Sequence, residues 1–117
     1  MTHTDLVRSI LLEISPLGLA WENRTGEGWV GKFVKKMPGG QVTLKNARHI
    51  RFGLPGSTDI LAIIKRRILV IEVKTGTGRL QRNQSDFARA AVAAGAIHVL
   101  ARSVDDVTNI LKLEGLA

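Results

Sequence analysis

Hydrophobic and polar positions change period along the chain, from helical spacing at the N-terminus to short, continuous apolar runs in the middle. Near the start, apolar residues recur every three or four positions and predict a helix from Thr4 or Asp5 to about residue 15. The stripe consists of Leu6, Val7, Ile10, Leu11 and Ile14. Pro16 and Gly18 are expected to end this helix.

Two later runs, 60–64 and 68–73, are short, rich in β-branched residues and apolar on both faces, which predicts strands covered on both sides. Weaker alternation predicts strands at 29–34 and 41–44, joined by a turn at 37–40. A helix from Leu80 or Gln81 to Ala94 and a strand at 96–101 follow. Ser103 with Asp106 resembles a capping box for a last helix that reaches to about Leu113. Strand, helix and strand in this order predict that the strand at 96–101 runs parallel to the one at 68–73. The pattern predicts an α/β fold in a single domain, 1–117.

Composition indicates a soluble globular protein with a polyanionic partner. The chain has 117 residues, 44% of them apolar, and a formal net charge of +7, with a pI of about 10.6. Such charge favours nucleic acid over a membrane as the partner, although it can also serve solubility alone. The absence of cysteine excludes disulfides and thiolate metal sites. No targeting or membrane-spanning segment is recognisable, and we expect a cytoplasmic protein.

Positive charge is concentrated between Gly28 and Thr58, where the sequence contains no acid. We predict that this segment contacts phosphates, the alternative being an ordinary solvated hairpin. Its cations are Lys32, Lys35, Lys36, Lys45, Arg48 and Arg51. Trp21 and Trp29 are predicted to pack in the core, with stacking on unpaired bases as the alternative use.

Three ionisable side chains are expected on one face of the sheet. Glu72 and Lys74 share a face because successive strand residues alternate. If a two-residue turn at Arg66 and Arg67 joins the strands, Asp59 lies opposite Lys74 and falls on the same face, whereas an odd-numbered loop would move Asp59 away. The turn lacks the Gly, Asn or Asp that such turns prefer.

Two carboxylates beside a basic surface are typical of a Mg²⁺ or Mn²⁺ site, because these hard cations take carboxylate, water and phosphate oxygens. Lys74 would then stabilise charge that develops on a phosphate. The alternative is a structural ion pair inside an ordinary α/β sheet. His3, His49 and His98 have no metal-ligand spacing, which argues against zinc.

The loop 75–79 is rich in glycine but lacks the spacing of a nucleotide-binding fingerprint. In the following helix, Gln84 lies on the apolar face with Leu80, Phe87, Ala88 and Ala91, where a lone Gln would bond to a loop backbone. Arg79 and Arg82, at the loop and the start of that helix, are further candidates for DNA contact.

These residues together resemble a known nuclease signature. The segments 56–59 (Gly-Ser-Thr-Asp) and 72–74 (Glu-Val-Lys), followed by Gln84, are similar to the PD-(D/E)XK motif, and their order and spacing resemble its VRR-NUC branch. Segments 21–26 and 53–56 also resemble that branch, so the similarity extends from about Trp21 to Ser103. The two-part acid motif alone is short and degenerate in sequence. The acid, the Glu-Val-Lys segment, the glycine-rich loop and the helix with Gln84 together form a moderately specific signature.

The resemblance implies a restriction-endonuclease-like core, with a central mixed β-sheet flanked by α-helices, and metal-dependent hydrolysis of DNA chosen by structure. By position, Asp59, Glu72 and the Val73 carbonyl would bind Mg²⁺ or Mn²⁺. Lys74 would be the catalytic lysine, and Gln84 would place substrate or water. Standalone members of this branch resemble phage-associated proteins that form homodimers, which implies a bacterial or phage-infected host cell.

The sequence departs from the family pattern at two places. Thr58, not proline, precedes Asp59. The acid usual in the first helix has no clean counterpart, because Thr4 falls near its position and Asp5 or Glu13 would require a shift. We treat Glu13 as an outer residue of the metal site, the alternative being a solvated glutamate.

The resulting hypothesis is a metal-dependent endonuclease for branched DNA, such as a Holliday junction. A non-catalytic nucleic-acid-binding module with the same fold is the first alternative, and the presence of Asp59, Glu72 and Lys74 together argues against it. A structural partner subunit is the second alternative, for which DNA binding would be weak and insensitive to salt.

Overall fold

The computed structural model describes residues 1–24 and 26–117, except for the side chains of 26–28 and 50–52. The chain forms two compact units, one of Met1–Arg24 with Pro55–Ala117 and the other of Thr25–Leu54. The first unit contains, in chain order, α1 (His3–Ile14), a 3₁₀ turn (Ser15–Leu17), β1 (Leu19–Glu22), β4 (Ile60–Ile64), β5 (Arg67–Val73), α2 (Arg82–Ala93), β6 (Ile97–Ala101) and α3 (Val104–Leu113). The second contains β2 (Gly26–Lys36) and β3 (Val42–Phe52).

The first unit is built on a mixed sheet of four strands in the order β1-β4-β5-β6. Neighbouring strands are antiparallel except β5 and β6, which are parallel. The predicted mixed α/β sheet with flanking helices is therefore confirmed, as is the parallel pairing. The edge strand β1 was not predicted, because its four residues have no periodic signal and it is defined by pairing with β4.

One face of this sheet packs against α1 and α3 to form the core. Leu6, Val7, Ile10 and Ile14 of α1 are buried, which confirms the predicted stripe, and Val107 and Leu111 of α3 join them. Capping boxes begin both helices, Thr2 with Asp5 and, as predicted, Ser103 with Asp106. The sheet contributes Ile60, Ala62, Ile64, Leu69, Ile71, Val73, Ile97, Val99 and Ala101.

The opposite face of the sheet is covered less completely. The helix α2 packs against β6, and every residue of α2 is at least partly exposed. Its predicted inner stripe is confirmed, since Gln84, Phe87, Ala88 and Ala91 are its half-buried members, along with Ser85. Toward β1 the face carries exposed apolar side chains, among them Trp21.

The turn between β4 and β5 corrects the predicted register. The two turn residues are Lys65 and Arg66, not Arg66 and Arg67, and both have positive φ, 47° and 69°. Ile60 pairs with Ile71, and one further step places Asp59 opposite Glu72, not opposite Lys74. The predicted register was wrong by two residues. Because a shift of two residues keeps every side chain on its own face of the sheet, Asp59 still shares a face with Glu72 and Lys74.

The second unit is a long antiparallel hairpin, with strands of 11 residues that extend well beyond the predicted ranges. Two register shifts interrupt it, between Val30 and Lys32 and between Phe33 and Lys35. The prediction that Trp21 and Trp29 are core residues is wrong, because their exposed fractions are 41% and 67%. The ring of Trp29 instead meets that of His49 edge to face, with centroids 5.1 Å apart.

In the described ranges, all helices are too short or too polar to cross a membrane.

Candidate active site

The predicted acids, lysine and glutamine meet at one end of the four-stranded sheet. Asp59 immediately precedes β4, and Glu72 and Lys74 lie at the end of β5. Because β4 and β5 are antiparallel, the start of one strand lies beside the end of the other. The first turns of α1 and α2 reach the same place, so four elements position the site.

Asp59 is fixed through both its side chain and its main chain. Its Oδ2 accepts a hydrogen bond of 2.8 Å from the main-chain N–H of Val73 and lies 3.4 Å from Nε2 of His3. Its carbonyl accepts a 2.7 Å bond from the N–H of Asn23. The Asn23 side chain also donates to Ser57 Oγ, at 2.7 Å, and to the Thr58 carbonyl, at 3.0 Å. The segment that bears Asp59 is therefore held by β1 and β5 together.

Glu72 is the most buried carboxyl of the site, with only 4% of the residue exposed. Its Oε1 lies 3.4 Å from Nε2 of Gln84 and 3.9 Å from Nζ of Lys74. Its Oε2 is also buried, and no described residue forms a hydrogen bond with it. Buried polar atoms are rarely left without a partner, so Oε2 is a position at which a ligand would be stabilised.

Burial raises the pKa of Glu72 to about 8, and the neighbouring carboxyl of Asp59 adds to the shift. The ammonium group of Lys74 opposes it. At neutral pH a proton is thus favoured on Glu72, which lowers the repulsion between the two acids. A cation bound between them would replace that proton, because metal binding competes with protonation of its ligands.

Gln84 performs two tasks at the start of α2. Its Oε1 accepts a hydrogen bond of 2.8 Å from the N–H of Gln81, which completes a capping box, and its Nε2 is directed toward Glu72. The predicted backbone partner is therefore confirmed, and the same side chain also reaches Glu72. Lys74 is tied to β6 by a 3.0 Å bond from its N–H to the Ala101 carbonyl, and its side chain is only 18% exposed.

A glycine brings α2 close to the segment before Asp59. Gly56 has φ of +77°, and a Cβ atom there would lie 2.2 Å from the Asn83 carbonyl oxygen. Only glycine permits both this φ and this approach. The contact determines how far Gln84 lies from Glu72.

The carboxyls of Asp59 and Glu72 are the oxygen donors that a divalent cation would find at this site. Within the described part of the chain, no group of three or more His, Cys, Asp or Glu side chains is placed to hold a metal. Two adjacent carboxyls with an unpaired oxygen, however, suit Mg²⁺, which commonly takes one or two carboxylates and completes its shell with water and phosphate. The residues fit Mg²⁺ or Mn²⁺ and do not resemble a zinc site.

The remaining predicted residues lie apart from these acids or on the surface. Glu13 is exposed and ten residues along α1 from His3, about 15 Å at the helical rise, so the structure does not bring it to Asp59. Arg79 and Arg82 are exposed near the start of α2. In the hairpin Lys32, Lys35, Lys36, Lys45 and Arg48 are exposed, and the side chain of Arg51 lies outside the described residues.

Two residues near Asp59 were not predicted from the sequence. Asn23 falls in the segment 21–26 that carried the family resemblance, so that segment could have indicated it. His3 offered no signal, because its contact with Asp59 joins residues 56 positions apart. Both owe their positions to tertiary packing.

Comparison of the chain with protein-family models and with curated proteins found no match.

Proposed function

We propose that this chain is a Mg²⁺- or Mn²⁺-dependent, structure-selective DNA endonuclease with a restriction-endonuclease-like core, related to the VRR-NUC branch of PD-(D/E)XK nucleases. One observation supports this most strongly. The buried carboxyl of Glu72 lies beside Asp59 and Lys74 with one oxygen unpaired. A purely structural ion pair would be expected to satisfy both oxygens of a buried carboxylate.

The metal would be held by Asp59, by Glu72 and by the carbonyl of Val73. The N–H of Val73 already bonds to Asp59, which brings its main chain next to that carboxylate. A divalent cation held by these residues would offset negative charge on the phosphate and would make a bound water more acidic and so a better nucleophile.

The other site residues would act on the phosphate. Lys74 is largely buried, so its ammonium group faces the acids in a medium of low dielectric, where it can stabilise charge on a phosphate oxygen. Gln84 orients Glu72 from the start of α2. Since α2 is anchored by its capping box, the amide is preorganised before substrate binds.

The hairpin would supply the non-specific DNA contacts. Lys32 lies directly opposite Lys45 in the register, and like charges in such a pair destabilise a hairpin. An anionic partner would remove this repulsion, and phosphates are the partner that a +7 chain favours. In the first unit, Arg79 and Arg82 would add phosphate contacts of their own. A homodimer bound to a branched junction would use two such chains.

The test is cleavage of labelled four-way junction, flap, single-stranded and duplex DNA in Mg²⁺, Mn²⁺ or EDTA. We expect metal-dependent cleavage of branched DNA, and a loss of at least about 100-fold in Lys74→Ala, within the range for one electrostatic group. Lys112→Ala, at the exposed end of α3, is the matched control and should cleave normally.

Two outcomes would contradict the proposal. Equal cleavage by Lys74→Ala and wild type would show that the active site has been assigned to the wrong residues. Salt-sensitive DNA binding without cleavage in either metal would identify a binding module instead. Sedimentation of the protein alone and with a junction measures whether the dimer forms.

A further inference from the structure

The sheet face beside the candidate active site presents an aromatic side chain to solvent. Trp21 pairs with Leu61 in the register, and Leu61 pairs with Val70, so these three share the face opposite the core. Asn23 directly follows β1 and lies opposite Asp59, and because it is two residues from Trp21 in extended chain it points to the same side. From the spacings of strands and residues, Trp21 lies about 8 Å from Asp59, Cα to Cα.

Further apolar side chains continue this face away from the acids. Leu19 pairs with Ile63, and Ile63 pairs with Ile68, and their exposed fractions are 61%, 41% and 51%. Beyond them the β4–β5 turn exposes Lys65 and Arg66. We define the stacking face as Leu19, Trp21, Ile63 and Ile68. It extends from the carboxyls of the site to a basic turn, about 20 Å along β5 from Glu72.

The chemistry of this surface suits an unpaired nucleotide strand. Proteins that bind single strands combine aromatic platforms for the bases with cations that follow the phosphates. The stacking face has its aromatic side chain, Trp21, beside the site and the cations, Lys65 and Arg66, at its far end. It is too small for a second copy of the chain, because a stable interface needs about 20–30 residues on each side and this face has four exposed apolar residues.

We infer that Trp21 stacks on an unpaired base next to the cleaved phosphate, and that the stacking face guides the unpaired strand toward Lys65 and Arg66. The inference rests on the proposed function and names the feature of the substrate that this site selects. A blunt duplex keeps its bases stacked inside the helix and offers none to Trp21. In branched or flapped DNA a base can leave the stack at a low cost in free energy and reach Trp21. This would account for selection of the substrate by its structure.

The experiment uses the intrinsic fluorescence of Trp21. Trp29→Phe leaves Trp21 as the only tryptophan of the chain. This variant is titrated with single-stranded, flapped and blunt duplex DNA of equal length in Ca²⁺, a cation that also takes oxygen ligands, with the DNA checked for integrity. We expect quenching by the single-stranded and flapped DNA but not by the blunt duplex.

Affinity provides the second measurement. Trp21→Ala should weaken binding of single-stranded and flapped DNA by about 5- to 100-fold, the range for one stacked base, and leave duplex binding unchanged. Trp21→Phe should recover part of the affinity. Leu12→Ala, which removes a more exposed apolar side chain from α1, should change neither.

The inference is overturned if the blunt duplex quenches Trp21 as strongly as single-stranded DNA, or if none of the three DNAs quenches it. It is also overturned if Trp21→Ala dissociates a dimer while its affinity for flapped DNA stays unchanged, which would assign the face to a second copy. Binding in Ca²⁺ is measured without cleavage. A protein that shows the expected quenching but never cuts DNA therefore refutes the nuclease proposal and retains only the stacking of Trp21 on an unpaired base.

Discussion

The carboxylate of Asp59 accepts a hydrogen bond of 2.8 Å from the main-chain N–H of Val73, which joins the segment before β4 to the last residue of β5. Asp59→Asn keeps an acceptor for this N–H but removes the charge, so we expect nearly normal stability and a cleavage rate at least about 100-fold lower. Asp59→Ala leaves the buried N–H unpaired and should lower the free energy of unfolding by about 1–3 kcal/mol. Urea denaturation and junction cleavage measure the two effects, and equal destabilisation by both variants would contradict this role.

Glu72 should make the metal-free protein less stable as pH rises. Its pKa is about 8 in the folded protein and 4.5 ordinarily, so between these values the folded state binds more protons than the unfolded state. Stability is therefore highest below about pH 4.5, with respect to this group, and declines up to about pH 8. Glu72→Gln should abolish the decline and raise the Tm in EDTA at pH 8 by at least about 3 °C. Thermal denaturation across this range checks it, and identical pH profiles would refute it.

In the wild type, the stabilisation produced by added Mg²⁺ should increase with pH, which is the reverse of the dependence expected without metal. The cation binds the ionised carboxyls, so it must displace a proton from Glu72 at low pH but not above about pH 8. We expect the increase in Tm caused by Mg²⁺ to be larger at pH 8.5 than at pH 6, and to vanish in Glu72→Gln. An increase that is independent of pH in the wild type would place the metal elsewhere.

Substitutions of Gln84 and Gln81 distinguish an effect on the cap of α2 from an effect on the candidate site. Each contributes one half of the same capping box, but only Gln84 reaches Glu72. Gln84→Ala and Gln81→Ala should each cost about 0.5–1 kcal/mol of stability. Only Gln84→Ala should slow cleavage at saturating substrate. If Gln81→Ala slows cleavage as much, Gln84 acts only through the helix.

Gly56 controls the approach of α2 to the segment of Asp59. Gly56→Ala would force a Cβ against the Asn83 carbonyl oxygen at positive φ, so we expect a loss of at least about 2–3 kcal/mol and slower cleavage. Gly115→Ala is the matched control, with φ of +70° but open space around the site of the Cβ, and should cost about 1 kcal/mol. Equal urea midpoints for the two variants would show that the close approach of Gly56 to Asn83 does not affect the cost of the substitution.

The β4–β5 turn can be stabilised by the residues that its backbone prefers. Lys65 and Arg66 both adopt positive φ, which suits Asn and Gly in this type of turn. The double variant Lys65→Asn with Arg66→Gly should gain about 1 kcal/mol in urea denaturation. Arg66→Ala, which removes a charge but keeps the strained φ, should not. The double variant should also bind flapped DNA more weakly, since it removes both cations at the end of the stacking face.

In the part of the chain that the structure describes, the sequence predicted the three α-helices and five of the six strands, because their signals are local. Apolar periodicity in α1, the capping box of α3 and the β-branched runs of β4 and β5 depend on neighbouring residues. The missed strand, β1, has no such signal. Its residues become a strand only because β4 offers an unpaired edge.

The same distinction applies to the candidate site. By itself the sequence determined which residues could carry the chemistry and that Glu72 and Lys74 share a face, because alternation in a strand is fixed by the backbone. Only the tertiary structure decided that Asp59 lies opposite Glu72, that His3 and Asn23 contact the segment of Asp59, and that Trp21 is exposed. Turn geometry and helix docking decide these features, and both depend on contacts between residues far apart in the chain.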